Sequence, residues 1–346
     1  LKELSAKESA TVEADHDVTL TAAKAGMLAI SSGGSVNAGT LTATTGDAKV
    51  TAKTDATIGT LKAEAGSATV KATEGKLDVT TLNAKEHAEL TSGSDMVLHA
   101  AEAGGKLTAD AGGSISVKGT DAKIAAADIT MRAGEDIRIT DRSPVGKLDG
   151  VNTSLPAGQT TGSGEAGSLV IGEAKPHDFD ASGKGSALLS SAGGKVTLSA
   201  KKVEIDTLKN GEGDAADLKI SADNIGIDDL TGAGAQHVTI HGKDGQSQAH
   251  YAGIHSTSAG GTLVKDSAVE HLELTGREPL GLSNTAIGGD SVLATDKIRV
   301  TIQKNPGSSQ AEHFGNLSLS GYDIATDHVM TSVKDGLTVN GERFPV

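Results

Sequence analysis

The sequence predicts an all-β protein: a parallel β-helix, or β-solenoid, with coils of about 20 residues, forming an elongated rod with loop excursions. Three observations predict it. The chain says nearly the same thing twice at a step of twenty, GTLTATTGDAKV at 39–50 and GTLKAEAGSATV at 59–70. Its apolar residues alternate with a period of two in short runs. Its composition suits a thin core of small side chains, with 45 Gly, 1% aromatic residues and no Trp in 346 residues.

The step of twenty carries the most weight. Leu41 answers to Leu61, Gly46 to Gly66 and Val50 to Val70, and Leu82 and Leu90 continue the series. Downstream, Leu218 and Ile220 are followed by Val238 and Ile240, and Leu317 and Leu319 by Leu337 and Val339. Ile298 and Val300 precede the Leu317/Leu319 pair by nineteen and are read as part of the same series. A unit this short cannot bury its apolar face alone, so neighbouring units must stack and share one core. Twenty residues allow about three strands and three turns, one coil of a parallel stack. If every residue lay in coils, about seventeen of them would make a rod of roughly 80 Å.

The alternation supports strands over helices. Val18–Ala22, Val196–Ala200 and Ile298–Ile302 each place apolar side chains on one face of an extended chain. Ala, Lys and Glu favour a helix in AKESATVEAD, but Thr, β-branched residues and interior Gly count against it. Gly with Asp or Asn marks the turns.

The rhythm breaks twice. Residues 141–187 hold three of the six Pro and little alternation, and are read as a loop-rich excursion. Residues 241–261 interrupt again before TLVKDSAVEHLELTG resumes. From His237 onward lie seven of the eleven His, both Tyr and two of the three Phe. The expected organisation is therefore a repeat region (1–140), the excursion (141–187), a β-helix continuation (188–236) and a decorated C-terminal β-helix region (237–346).

Composition narrows function. The absence of Cys removes disulfides and Cys-based metal sites and suits a chain that crosses compartments unfolded. A formal net charge of −14 disfavours nucleic acid. No run of eighteen apolar residues predicts a membrane-spanning segment. LKELSAKESA has neither a start Met nor a basic-then-apolar signal pattern, and the chain is read as a piece of something longer.

Chemistry is sparsely signalled. His237 and His241 share a strand face and, with His250 and His255, could hold a divalent metal only if they converged, so surface His on a turn-rich rung is preferred. Asp223, Asp228 and Asp229 could be a calcium or paired-acid site, but turn chemistry accounts for Asp beside Gly. No phosphate loop and no nucleophile elbow is present. The expectation is no catalytic residue, no cofactor and no metal. Candidate partner-binding residues are His250, Tyr251 and His255 in QAHYAGIHSTSAGG, with Arg277 in TGREPLGLSN, since exposed aromatic and Arg residues on loops are what binding surfaces use. The competing reading is that Tyr251 covers an open core at the base of a loop.

The Gly- and Thr-rich alternating repeats resemble the stalk of two-partner-secreted exoproteins of the filamentous haemagglutinin type. The stretch AHYAGIHSTSAGGTLVKDSAVEHLELTGREPLGLSNTAIGGDSVLATDKIRVTI, with HFGNLSLSGYDIATDHVMTSVKDGLTVNG, resembles the distal part of leukotoxin-like filamentous adhesins. The resemblance implies a right-handed β-helical fibre, exported unfolded through an outer-membrane partner and displayed on Gram-negative cells. The family's amino-terminal secretion domain is absent from this sequence, and so is the Cys-bearing anchor of some relatives. No pore-forming amphipathic segment is present to support the toxicity in the name.

The expected function is a structural stalk or adhesive segment of a large secreted or surface-displayed bacterial adhesin, mediating attachment or cell–cell and biofilm association. Its expected location is extracellular. Expected partners are a cell-surface glycan or protein, a matrix polysaccharide, the export partner and other copies of the rod. The alternative is a carbohydrate-active β-helix enzyme, a polysaccharide lyase or a tailspike-like hydrolase, for which a chain with two Tyr and no Trp is poorly equipped.

Overall fold

A computed structural model describes residues 2–119, 122–140, 186–243, 248–277, 279–287, 291–294, 297–301, 314–320, 323–327, 333–339 and 342–344. Among them there is no helix. Twenty-nine strands form one hydrogen-bonded sheet. Every pairing is parallel except that of Val333–Val339 with Glu342–Phe344. The chain is a β-solenoid of about 11 turns. That is fewer than the seventeen expected from steps of twenty throughout, because two of the steps are 66 and 27 residues long. At about 4.8 Å per coil the stack is roughly 50 Å long.

Each early coil uses one strand of eight residues and one of five or six, such as Val36–Ala43 followed by Ala48–Ala52. In the longer strand Val36, Ala38, Leu41 and Ala43 point inward, while Gly39 and Thr40 are both exposed. Two successive outward positions break strict alternation, so the strand turns a corner there. Each coil thus has three faces from two strands.

The register confirms most of the expected steps. Leu41 pairs with Leu61 and Leu61 with Leu82. Val50 pairs with Val70 and Val70 with Leu90. Leu218 pairs with Val238, and Leu317 with Leu337. One expected step is wrong. Ile298 pairs with Leu280 and Ile324, whereas Leu317 pairs with Ser291 and Leu337. The nineteen-residue spacing therefore joins different faces, since any two apolar strands in a repeat of this length fall near that separation.

Residues 141–185 lie outside the described residues, but the coils that flank them stack directly. Asp136 pairs with Lys202 and Ile137 with Val203, a step of 66 residues. The rod has already resumed at Ala187, which is fully buried and donates its N–H to the Asp206 carboxylate at 3.4 Å. The second expected break needs correction. Ala249–Ser256 is a strand in register between Asn224–Thr231 and Thr262–Gly276. Its Ala252 and Ile254 continue the inward columns of Ile225 and Ile227 at a step of 27 residues. Residues 236 and 237 both lie within the strand Ala235–His241, so the ladder runs through that boundary.

Turn residues serve the neighbouring coil. Asp17, Asp47, Asp55 and Asp95 accept the N–H groups of Ser35, Ser67, Lys76 and Ser114 in the next coil at 2.7–3.0 Å. His87 Nδ1 does the same for Lys106 at 2.9 Å. A Gly precedes each donor. At Gly66 a Cβ would stand 2.4 Å from the Asp47 carboxylate, so the cap requires its absence. Asp47→Ala is expected to destabilise the rod by about 1 kcal/mol, the net worth of one such bond. An unchanged denaturation midpoint would mean that water caps Ser67 equally well.

Candidate functional site

Three of the candidate residues lie in the strand Ala249–Ser256, and Arg277 directly follows the strand Thr262–Gly276 stacked on it. The coil step sets their neighbours. Tyr251 faces His271, and His255 faces Thr275. His250 Nδ1 contacts the Glu270 carboxylate, and its ring meets that of His271 edge to face, with centroids 6.0 Å apart. His271 Nε2 lies 3.8 Å from the other Glu270 oxygen. With 64% of its side chain exposed, His250 is the most open of the three. This His–Glu–His patch is an accessible polar surface on the outside of the rod.

Tyr251 is placed differently from the expectation. It is in a strand rather than a loop and is only 8% exposed. It is not part of the packed core cluster. Ala252 and Ile254 of the same strand point inward, which leaves Tyr251 on the outer face. From there its hydroxyl donates to the Glu273 carboxylate at 3.1 Å. Glu273 is paired with Gly253, so the ring runs along the strand past a position with no side chain.

Burial pushes the Tyr251 phenol well above its ordinary value, and the charge of Glu273 and the bond to it add to the shift. A raised phenol favours the neutral form in the folded chain. Its contribution to stability is complete below the free value of about 10 and is lost as pH rises beyond it toward the folded value. In a Tyr322→Phe background, absorbance titration is expected to show no phenolate near pH 10 until urea unfolds the chain. Titration at the ordinary value in the folded protein would show that Tyr251 is solvated.

His255 and Arg277 complete the set without joining the patch. His255 Nδ1 is 2.9 Å from Thr275 Oγ1. Arg277 is exposed and follows Gly276, whose φ of 118° ends the strand, and its N–H donates to Ser256 O at 2.6 Å. Six residues and a corner of the coil separate His250 from Ser256, so Arg277 lies within about 20 Å of His250 but around that corner from it. The four residues do not converge on one ligand.

The remaining His and Asp candidates are also dispersed. His237 and His241 share the outer face of one strand but are four residues, about 13 Å, apart. His237 Nδ1 lies 3.6 Å from the Asp217 carboxylate, which Lys265 approaches at 3.7 Å. Asp223 accepts the Lys243 N–H at 3.4 Å, Asp229 accepts the Thr257 hydroxyl at 2.5 Å, and Asp228 is buried at a corner of the coil. Among the described residues no three His, Asp or Glu side chains are placed to hold a metal ion.

Two features carried no signal in isolated sequence windows. One is a half-buried charge group on the outer face, where Arg138 lies 3.1 Å from Glu204 and Lys202 contacts the same carboxylate. Burial raises the neighbouring Asp136 carboxyl, against the lowering effect of Lys202 and Arg138. The other is a shallow cleft of about 390 Å³ lined by His237, Leu263, Pro279, Gly281 and Ser283, among others. No described helix is long and apolar enough to cross a membrane.

No protein-family model, no curated protein and no solved structure matches this chain.

Proposed function

We propose that this chain is a stalk segment of a secreted or surface-displayed bacterial filamentous adhesin, of the two-partner-secretion kind suggested by its sequence. The observation that supports this reading most is the run of parallel coils in register, which makes a stiff spacer. The stalk holds an adhesive surface away from the cell, and its net charge of −14 discourages lateral fusion of rods. The His250–Glu270–His271 patch is the part of the described surface we assign to partner contact, with a glycan or protein on another cell or a matrix polysaccharide as partner. On this reading the protein is extracellular, it reached that location through an outer-membrane export partner, and it has no catalytic role.

The test compares adhesion of beads coated with the chain and with a His250→Ala/His271→Ala variant to epithelial and bacterial cells, at matched coating. A loss of at least about fivefold, or 1 kcal/mol, would make the patch adhesive. Equal adhesion by both would move the contact elsewhere on the rod, and no adhesion above uncoated beads would leave a spacer alone. Release of reducing ends from a polysaccharide by the purified chain would overturn the reading in favour of a β-helix enzyme.

A further inference from the structure

One corner of the coil interior changes chemistry along the rod. In the early coils the inward residue there is Ala25, Ala43, Ala63, Ala84 and Ala103, stacked in register. The column continues through Ala126 to Ser191 and then Asn210. An alanine column needs no polar partner. Asn210 brings a carbonyl oxygen and an amide with two N–H groups into the same space.

Asn210 is fully buried, and neither its Oδ1 nor its Nδ2 has a hydrogen-bond partner. Gln236, also fully buried, lies against it and donates from Nε2 to Asn210 O at 3.0 Å, while its Oε1 is unpartnered. Three buried polar atoms are thus left open at one place. A buried polar atom without a partner loses its hydration and gains nothing in exchange. The nearby hydroxyls are already engaged. Ser191 donates to Ala127 O at 2.8 Å and Ser258 to Gly234 O at 2.5 Å. Gly232 leaves the Gln236 amide its place, since a Cβ there would stand 2.4 Å from Nε2.

We infer that the solenoid encloses a structural water bound between the Asn210 and Gln236 side chains. The open atoms are two acceptors and one donor group, the complement of a molecule that donates twice and accepts as well. A cation would find no use for Asn210 Nδ2, and an anion would meet two carbonyl oxygens with no positive charge beside them. Exchanging the O and N of Asn210 leaves the argument intact, because water serves either orientation.

The experiment is a crystal structure of the whole chain at about 1.5 Å resolution, together with urea unfolding of the chain and of Asn210→Leu. The expected result is a discrete density peak within about 2.7–3.2 Å of Asn210 and of Gln236 Oε1. Asn210→Leu then leaves Gln236 Oε1 open, and the unfolding constant rises about tenfold. A direct hydrogen bond between the two side-chain amides, with no peak, would overturn the inference. So would an empty site whose Asn210→Leu variant is more stable than the parent.

Discussion

Lys243→Met is expected to lower the stability of the chain by about 2–4 kcal/mol, because two backbone carbonyls lose their donor in the interior. Lys243 is 8% exposed, and Lys is rarely buried unless its ammonium is held. Here Nζ donates to Ala133 O at 3.1 Å and to Gly134 O at 2.5 Å, in a coil 110 residues earlier. The ladder between that coil and the next ends at the pairing of Arg132 with Ser199, one residue short of these carbonyls. Lys243 therefore ties the end of the strand Ala235–His241 to the coil of Ala133 and Gly134. Met keeps the stem and removes the ammonium, so lost packing adds little. Urea unfolding at constant m-value reads the difference. A loss under about 0.5 kcal/mol would mean that water already serves both carbonyls.

The sequence made the coil legible because each coil templates the next. Leu41, Leu61 and Leu82 must meet, so the spacing between them is visible in one dimension. Steps that vary are harder to see. The step is eighteen from Val18 to Val36 and twenty-seven from Asn224 to Tyr251, and a fixed ruler loses the register there. The same ruler would have improved the candidate site had it been laid on the candidates themselves. Twenty residues beyond His250, Tyr251 and His255 stand Glu270, His271 and Thr275, and these are the residues the structure brings beside them. What no local pattern encodes is which outward side chain becomes covered. Tyr251 looks like a free aromatic in sequence because its hydroxyl's partner, Glu273, lies in the next coil. Likewise the turn Asp residues look like turn formers, although each caps an N–H about twenty residues later. Lys243 is illegible for the same reason, since its partners are 110 residues away.

Leu61→Ala tests the stacking itself. Leu61 is fully buried between Leu41 and Leu82, and a large-to-small change at such a site costs about 2–5 kcal/mol. The upper half of that range is expected, because an in-register parallel stack holds the backbone spacing fixed and gives the cavity little room to collapse. The loss should also be local. Coils of a solenoid touch only their neighbours, so a defect at Leu61 weakens the interfaces with the coils of Leu41 and Leu82 directly. Amide hydrogen exchange is expected to quicken across residues 36–84 and to stay unchanged across Leu218–Ile220 and Val238–Ile240, which pair with each other far from the defect. Faster exchange throughout the described coils, in proportion to the lost stability, would instead show a single cooperative unit. The rod would then open all at once under load. Local opening would let one coil fail while the rest of the rod stays stacked in register.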